Sequence, residues 1–332
     1  MKNLTGLLGT EKSRRWLPIR RISCWRLMVA WIVGWMIVVA PLTQAHADDG
    51  LTVQEGLEFW FDARQIEPSA TRTETVGDRS MVRITTWPDA SGNRRHASQP
   101  DEASQPELIS VGQSRIARFD GVDDFLRVTG INCSTAAATI FVVAAPQKNA
   151  GSYRAFLAGN ASQQSDFVSG FTIDQGAGAT LAFNHLNVEG RGFGGAQNLL
   201  RTVTPFSQLH VHEVVISPSE RVVKLAVDGA AAGTRPYEPS TLRLDELTIG
   251  ARYYGFGKPE IQGWIASDIA EILIYSRELP ADERAQVRDY LASKHAELKE
   301  TLPSTIQSVG VPLQSVADPP SVQVFVPGFV AK

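Results

Sequence analysis

The chain has 332 residues, of which 43% are apolar and 20% are charged. This composition excludes an intrinsically disordered chain, because such chains combine low hydrophobicity with a high net charge. Two cysteines are too few for a fold that depends on disulfides. The net charge of −3 is unevenly distributed, since residues 1–47 hold seven bases and one acid. The remaining residues are acidic on balance, which argues against nucleic-acid binding.

The N-terminal segment has the three parts of a secretory signal peptide. Seven basic residues precede an uncharged stretch of 16 residues from Leu27 to Leu42, and small residues follow at Ala45 and Ala47. This pattern predicts a signal peptide over residues 1–47, with cleavage after Ala47. The alternative is an uncleaved membrane anchor, although the stretch is short for a span of about 20 residues. We therefore expect an exported protein (periplasmic, cell-surface or extracellular) that contacts a membrane only if this segment is retained.

Residues 51–275 consist of short apolar segments separated by turn sequences. β-Branched and aromatic residues dominate these segments, which is typical of an all-β sandwich or barrel. Asp120-Gly121 and Asp228-Gly229 indicate hairpins, because both residue types tolerate positive φ. The predicted strands are Leu57–Ala63, Ile116–Phe119, Phe125–Val128, Thr139–Ala145, Phe167–Ile173, Leu181–Asn184, Val211–Ile216, Val222–Val227, Leu247–Ile249 and Ile269–Tyr275.

One helix and a proline-rich tail follow the predicted strands. Residues 281–299 have a helical pattern with Pro280 suited to its first turn, and a narrow apolar stripe predicts packing at the edge of the sandwich. The tail ends in a β-prone segment and reads as an extended arm or a linker. The expected organisation is a signal peptide at 1–47, a β-sandwich at 48–300 and a tail at 301–332.

Four segments, in family order, resemble motifs of the LamG-like jellyroll family. Trp87–Asn93 followed by Ala97 is similar to the family's W-x-D-x-S-G-N-x-x-x-A opening, and Ala117–Phe125 is similar to its F-D-G-x-D-D-[YF] element. The hairpin His210–Gly229 and the closing strand and helix Gly263–Tyr290 complete the resemblance. Through these four segments the chain resembles bacterial secreted proteins of the concanavalin A-like lectin/glucanase superfamily. This resemblance implies a two-sheet antiparallel jelly-roll sandwich with one C-terminal helix, and a concave face on which family members bind glycans.

The acidic residues of the second motif form the candidate metal site. Asp120, Asp123 and Asp124 lie close together in the sequence, and calcium prefers six to eight oxygen ligands of the kind that Asp-rich turns supply. Many relatives of this fold carry such a site. The alternative is that these side chains only build the turn by accepting hydrogen bonds from backbone amides. We therefore expect either a Ca²⁺ site or a turn at these three residues.

The sequence lacks the carboxylate motif of the glucanases that share this architecture. Retaining glycosidases need two carboxyl groups about 5–5.5 Å apart, which those glucanases place on one strand as E-x-D-x-x-E. The nearest pair here is Asp268 and Glu271, and a spacing of three places them on opposite faces of a regular strand. The sequence therefore predicts a protein that is not an enzyme.

Two histidines on one predicted strand form a second candidate metal site. His210 and His212 are two residues apart, so they share one face of the strand, and imidazole is a common zinc ligand. No third ligand is near them in the sequence. We therefore expect a pair of histidines on the surface of a sheet.

Aromatic residues are the candidate ligand-binding residues, because ring faces stack on the apolar faces of sugars. Tyr253, Tyr254 and Phe256 lie in a loop bounded by glycines and are expected to contact ligand, whereas Trp60 and Trp264 are expected in the core. The sequence thus predicts a secreted, non-catalytic recognition or adhesion module that binds a glycan or an extracellular protein, with carbohydrate favoured. The alternatives are a glycan hydrolase and a structural spacer of a larger, split or truncated multidomain protein.

Overall fold

The computed structural model describes residues 50–300 of the chain. The predicted signal peptide and the predicted tail lie outside the described residues, so both stay predictions. Among the helices of residues 50–300, none combines the length and the apolar composition needed to cross a membrane.

Short strands make up most of the described range. The helices are α1 (Asp166–Ser169) and α2 (Ala281–Lys294), and 3-10 turns cover Ala63–Gln65, Pro68–Ala70 and Glu102–Ser104. The strands are β1 Leu57–Asp62, β2 Thr71–Val76, β3 Arg79–Ile84, β4 Thr86–Trp87, β5 Ala97–Ser98, β6 Glu107–Val111, β7 Ser114–Asp120, β8 Leu126–Val128, β9 Ser134–Thr135, β10 Ala138–Ala150, β11 Ala155–Asn160, β12 Phe171–Asp174, β13 Ala179–Thr180, β14 Asn187–Gly190, β15 His210–Ser217, β16 Val222–Val227, β17 Ala230–Pro236, β18 Leu242–Arg243, β19 Glu246–Ile249, β20 Arg252–Tyr254, β21 Glu260–Gln262 and β22 Ala266–Tyr275.

The strands form two large antiparallel sheets. The larger sheet has the order β17-β16-β15-β10-β22-β7-β6-β3-β2, with β1 also paired to β22 and β13 to β10. The smaller sheet has the order β14-β12-β11-β19-β8-β5-β4. Two further pairs, β9 with β18 and β20 with β21, form short ribbons. This arrangement confirms the predicted all-β, two-sheet antiparallel jelly-roll sandwich with one C-terminal helix. The predicted position of that helix is wrong, because α2 packs on the outer face of the larger sheet, over β10 and β22, rather than at the edge of the sandwich.

The main core lies between the two sheets. Phe59 and Phe61 of β1 face it from the larger sheet, and Phe156 and Phe171 face it from the smaller one. Packed sheets lie about 10 Å apart and bury one face of each strand, which explains the alternation of apolar residues. The ring of Trp87 completes this core, with its centre 6.0 Å from that of Phe61 in an edge-on arrangement.

The Trp87–Asn93 segment holds β1 in place. The buried Asp89 carboxylate accepts a hydrogen bond from the backbone N–H of Trp60 at 3.0 Å. The Asn93 side chain donates to the carbonyl oxygen of Glu58, also at 3.0 Å. Buried polar groups that find partners in this way specify the conformation that satisfies them. This motif therefore has a structural role.

One of the two Asp-Gly pairs forms the predicted hairpin. Asp228 and Gly229 have φ of 49° and 79° and join β16 to β17, as a two-residue hairpin requires. The hairpin expected at Asp120-Gly121 is wrong. There the chain leaves β7 of the larger sheet and continues into β8 of the smaller one, so this Asp-Gly pair turns the chain from one sheet to the other.

Two predicted strands differ from the structure, and some polar strands were not predicted. Phe167–Ile173 begins in α1 rather than in a strand, because α1 brings Asp166 to a buried ion pair. Leu181–Asn184 does not form a strand, and Leu181 is fully exposed. The hairpin of β2 and β3 lacks an apolar pattern because cross-strand charges hold it, with Arg83 Nε 2.9 Å from Glu74 Oε2.

A β-bulge in β22 places Asp268 and Glu271 on the same face of the larger sheet. Consecutive residues of β10 pair with Glu271 and Ile269, which leaves Ala270 as an extra residue. A bulge of this kind shifts the alternation of side chains by one position. Asp268 binds Arg118 of β7 and Glu271 binds α2, both on the face away from the main core. The expectation of opposite faces is therefore wrong.

Glu271 fastens α2 to this outer face. Its Oε1 atom accepts hydrogen bonds from Trp60 Nε1 at 2.6 Å and from the Tyr290 hydroxyl at 3.1 Å. Its Oε2 atom lies 2.7 Å from His295 Nε2 and 3.1 Å from Lys294 Nζ. Burial opposes ionisation of Glu271, but the hydrogen bond from His295 and the charge of Lys294 outweigh it and hold its pKa below the usual value.

A second apolar cluster surrounds this polar network. α2 and the helical residues that follow it contribute Val287, Leu291 and Leu298, all completely buried. The outer face of the larger sheet contributes Phe141 and Leu273, among others. The sheet is therefore covered on both faces, by the smaller sheet on one side and by α2 on the other.

Replacing Lys294 by Met should destabilise the domain strongly. Lys294 Nζ lies 2.6 Å from Asp62 Oδ2 and 3.1 Å from Glu271 Oε2, so Lys294→Met leaves both carboxylates buried without this cation. Removing one partner of a buried ion pair costs about 3–5 kcal/mol. Urea denaturation measures the loss, with Lys299→Met, at an exposed lysine 3.5 Å from Asp228, as the matched control. A loss no larger than that of a surface pair, about 1 kcal/mol, would contradict this role.

Candidate functional site

The aromatic residues expected to bind ligand lie on the ribbon of β20 and β21, at one end of the sandwich. Phe256, in the loop between the two strands, is 98% exposed. Tyr253 and Tyr254 on β20 are half-buried. The whole face of the Phe256 ring is therefore available for contact with another molecule.

Arg252 is buried beneath these rings. Its guanidinium makes two hydrogen bonds to Asp166, at 2.7 and 3.0 Å, and one to Asp174, at 3.3 Å. The guanidinium carbon lies 4.4 Å from the centre of the Tyr254 ring and 5.4 Å from that of Tyr153. A cation held over a ring adds about 0.5–2 kcal/mol to the packing. Because two carboxylates fix the guanidinium, they also fix the rings around it.

The ion pairs of Arg252 offset the cost of burying these charges. Burial raises the pKa of Asp174 to about 6, and the charge of Arg252 opposes that rise. Burial favours the neutral form of Arg252, but the hydrogen bonds to Asp166 outweigh it and raise the pKa of the guanidinium. Burial also raises the pKa of Asp166, and the hydrogen bonds and charge of Arg252 oppose that rise. The triad is held by charge as well as by hydrogen bonds.

Two further aromatic residues, not identified from the sequence, complete the cluster. Tyr153 lies edge-on to Tyr254, with ring centres 6.4 Å apart, and Phe167 lies edge-on to Phe256 at 6.2 Å. Tyr153 follows β10 and Phe167 belongs to α1, so sequence spacing does not connect them with β20. We call Tyr153, Phe167, Tyr253, Tyr254 and Phe256 the aromatic platform.

The structure brings the three predicted metal ligands together. Asp120, Asp123 and Asp124 each offer one carboxylate oxygen within 4.8 Å of the others. Asp120 also builds the turn, because its Oδ1 atom accepts hydrogen bonds from the backbone N–H groups of Val122 at 2.7 Å and of Asp123 at 3.4 Å. Turn formation thus occupies one of the oxygens of Asp120, and the cluster keeps carboxylate oxygens that can bind a cation.

The electrostatics of this acidic turn suit a cation. Asp124 is 2% exposed, and burial, followed by the charge of Asp120, raises its pKa to about 7. Burial and the charge of Asp120 also raise the pKa of Asp123. Among residues 50–300, no lysine or arginine forms an ion pair with any of the three. An oxygen-binding cation such as Ca²⁺ would supply the missing positive charge, so these residues fit the predicted metal.

Arg154 connects the acidic turn to the aromatic platform. Its Nη1 atom donates to the carbonyl oxygen of Gly121 at 3.2 Å and to that of Trp264 at 3.0 Å. Arg154 follows Tyr153 of the platform directly, and Trp264 follows the ribbon. The two features that the sequence suggested separately therefore lie side by side at one end of the sandwich, joined by one guanidinium.

The carboxylates of β22 are occupied by structural partners. Asp268 is fully buried and makes a two-point ion pair with Arg118, at 2.7 and 2.9 Å. Glu271 is fully buried in the network under α2. A general acid or a nucleophile must reach the substrate within about 3 Å. These two carboxylates share a face but have no exposed surface, so they do not form a catalytic pair.

The two histidines of β15 lie inside the sandwich rather than on its surface. His212 is 1% exposed, and its ring centre lies 5.4 Å from those of Phe156 and Phe183. His210 is also buried, and its Nδ1 atom lies 2.9 Å from Asp228 Oδ2. The expected surface pair is therefore wrong, because this face of β15 packs against the smaller sheet.

The buried His212 should make the domain sensitive to acid. Burial, followed by the charge of His210, lowers the pKa of His212 to about 3, against 6.5 for an unperturbed histidine. Between these values the unfolded chain binds a proton that the folded domain does not, so stability is complete above pH 6.5 and falls towards pH 3. His212→Leu should reduce the dependence of the free energy of unfolding on pH between these two values. Urea denaturation across this pH range measures the slopes, and equal slopes in both proteins would contradict the assignment.

Comparisons with known proteins find similar shapes but no related sequence. No protein-family model and no curated protein sequence matches the chain. The chain is similar to the binding domain of Paraclostridial Mosquitocidal Protein 1, at 12% identity and a TM-score of 0.45, over 72% of this chain and 53% of that one. It is also similar to Domain 4 of AbnA, a GH43 extracellular arabinanase from Geobacillus stearothermophilus, whose structure was solved in complex with arabinotriose. The identity is 13% and the TM-score 0.44, over 70% of this chain and 97% of that one.

A third similar structure is Trypanosoma rangeli sialidase in complex with sialic acid. The identity is 11% and the TM-score 0.45, over 72% of this chain and 33% of that one. The chain thus spans about half the length of the mosquitocidal binding domain and a third of the sialidase. At these identities and TM-scores the similarities do not assign a ligand or an activity.

Proposed function

We propose that residues 50–300 form a non-catalytic recognition module of an exported protein, which binds carbohydrate on the aromatic platform. The main support for this proposal is that an exposed aromatic ring lies beside rings that a buried guanidinium holds in place. Phe256 is 98% exposed, whereas Arg252, which holds the neighbouring rings, is 2% exposed. Rings fixed in advance lose little conformational entropy when a ligand binds, so their full contact area contributes to affinity.

Carbohydrate is the ligand class that suits this surface. Aromatic rings bury large apolar areas, and sugar rings present flat C–H faces of similar size. The hydroxyl groups of Tyr253 and Tyr254, and the acidic turn beside them, offer the polar contacts that sugar hydroxyls need. An apolar protein partner would bury Phe256 equally well but would leave the acidic turn without a complementary group.

We propose Ca²⁺ as the cofactor of the acidic turn. Asp120, Asp123 and Asp124 would hold it, and the bound ion would neutralise their charges. Because Arg154 joins this turn to the platform, fixing the turn would also fix that edge of the ligand site. The ion would then have a structural role and could accept sugar hydroxyls as further ligands.

A non-catalytic role is supported by the carboxylates of β22. Asp268 and Glu271 are the pair nearest to a glycanase motif in the sequence, and both are fully buried and saturated by partners. The rival functions are glycan hydrolysis and a spacer role without a ligand. Incubation with soluble glycans distinguishes hydrolysis from binding, because only a hydrolase releases new reducing ends.

Phe256→Ala and Tyr254→Ala should each weaken glycan binding by about tenfold, which corresponds to about 1.4 kcal/mol. The loss follows from the ring area that each variant removes from the platform. A glycan array identifies a ligand, and isothermal titration calorimetry measures its affinity. Val76→Ala, at a 53% exposed residue of β2, is the matched control and should leave affinity unchanged.

Three outcomes would overturn this proposal. An array without any hit would favour the spacer, and an affinity that is equal in all variants would place binding elsewhere. Release of reducing ends by the wild-type protein would favour the hydrolase.

Calcium should raise the melting temperature of the full chain, and a chelator should lower it, because a ligand bound only by the folded state stabilises that state. Asp124→Asn removes a buried charge, so it should raise the melting temperature in chelator and abolish the response to calcium. Calorimetry in EDTA and in CaCl₂ measures both effects. Asp78→Asn, at an exposed aspartate between β2 and β3, is the control. Identical melting curves of the wild-type protein in both solutions would leave the three aspartates as turn residues only.

A further inference from the structure

Lys294 and Asp62 form a buried pair that connects α2 to β1. Lys294 is the last residue of α2, and Asp62, 232 positions earlier in the chain, is the last residue of β1. Their side chains are 4% and 0% exposed, and Lys294 Nζ lies 2.6 Å from Asp62 Oδ2. A primary amine and a carboxyl group are the two reactants of an amide bond. The fold therefore holds both reactants in contact and away from water.

The distance between the two groups is close to that of reacting groups. Reacting atoms in a productive arrangement lie about 3–3.5 Å apart. The carboxyl carbon of Asp62 is one bond beyond Oδ2, so a nitrogen 2.6 Å from that oxygen lies near this distance from the carbon. Groups held in such an orientation can react as if one were present at about 10⁵–10⁸ M. Burial also excludes the water that would hydrolyse the product.

Glu271 lies opposite Asp62 and contacts the same amine. The two acidic residues are direct partners in the pairing of β1 with β22, and Glu271 Oε2 lies 3.1 Å from Lys294 Nζ. Like charges on directly opposite residues of a sheet repel each other. Burial, followed by the charge of Glu271, raises the pKa of Asp62, and Lys294 opposes this rise only in part. The shift favours the neutral carboxylic acid, which is the form that an amine attacks.

The amine also has to lose a proton before it reacts. Removal of a lysine from water favours its neutral form. Transfer of one proton along the 2.6 Å contact converts the ion pair into an amine and a carboxylic acid. Despite burial, the hydrogen bond from His295, together with the charge of Lys294, keeps the pKa of Glu271 below its usual value. Glu271 is therefore ionised and can accept a second proton from the nitrogen.

A backbone amide is placed to stabilise the intermediate of such a reaction. The N–H of Arg64 donates to Asp62 Oδ1 at 2.9 Å. When an amine adds to a carboxyl carbon, negative charge develops on the oxygen that stays. N–H groups directed at that oxygen lower the barrier to acyl transfer. Oδ1 would become the carbonyl oxygen of the amide and would keep this hydrogen bond.

We propose that Lys294 and Asp62 condense into an amide bond between their side chains (an isopeptide bond), with Glu271 transferring the proton. In this step Lys294 Nζ bonds to Asp62 Cγ, the Cγ–Oδ2 bond breaks, and Oδ2 leaves as water. Glu271 takes a proton from the nitrogen and delivers it to the departing oxygen, so no oxidant or other reactant is consumed. The bond links β1 covalently to α2 and closes residues 62–294 into a ring.

Mass spectrometry of the denatured full chain tests for this bond. The measured mass should be one water molecule below the mass of the sequence, whether or not the N-terminal segment has been removed. Tryptic digestion followed by tandem mass spectrometry should identify a branched peptide joined through Lys294 and Asp62. Lys299 is an internal control, because it is exposed and 3.5 Å from Asp228, and it should occur only in unbranched peptides.

Two variants and a matched control make the test specific. Lys294→Arg keeps the positive charge but lacks the amine, so it should show neither the branched peptide nor the loss of water. Glu271→Gln keeps a hydrogen-bonding side chain but removes the base, so most of its molecules should be unlinked. Lys299→Arg should be linked to the same extent as the wild-type protein.

Three results would contradict the proposal. A wild-type chain with its full mass and no branched peptide would show that Lys294 and Asp62 form only an ion pair. A loss of water that persists in Lys294→Arg would come from another reaction, such as ring closure at an Asp-Gly pair. Linkage at the wild-type level in a folded Glu271→Gln protein would overturn the role given to Glu271.

Discussion

The buried carboxylate of Glu271 is the interaction on which most of this structure depends. It lies on β22, the strand that pairs with β1, β7 and β10, and it gathers donors from Trp60, Tyr290, Lys294 and His295. An ionised carboxylate without partners costs several kcal/mol in a protein interior. Any other placement of β1 or α2 would leave it unsatisfied, so this one charge specifies where both elements pack. Apolar burial drives the helix onto the sheet, and the carboxylate decides its position.

The end of the sandwich that carries the aromatic platform uses the same principle with the opposite charge. There the buried cation of Arg252 is satisfied by Asp166 and Asp174, and rings pack around it. The two networks share no residue, so changes at the platform leave the attachment of α2 intact. This separation lets the surface around Phe256 vary while the sandwich beneath it stays the same.

The sequence predicts the parts of this fold that are specified by local pattern. β10, β15, β16 and β22 each contain a run rich in β-branched and aromatic residues, so their existence and the sandwich follow from composition and spacing. The bulge at Ala270 could not be predicted, because pairing with β10 creates it and no local signal marks it. The polar strands β2 and β3 also lack a signal, since their stability comes from cross-strand charges.

The candidate sites also divide into features set by the local sequence and features set by the tertiary fold. Asp120, Asp123 and Asp124 are neighbours in the sequence and are neighbours in space, so the pattern was sufficient to find them. Tyr153 comes from a different segment from Tyr254, and only the tertiary fold brings the two rings together.

The polar hairpin of β2 and β3 affects how copies of this domain behave when crowded. β2 is the outermost strand of the larger sheet, and its sequence TRTETV alternates threonine with Arg72 and Glu74. Unpaired edges of this kind recruit strands from other molecules unless charged side chains prevent close approach. At the opposite edge, β17 ends in Pro236, which has no N–H to donate. Both edges of the eleven-stranded sheet are therefore protected against pairing with strands of other molecules, so copies of the domain can be concentrated without joining along this sheet.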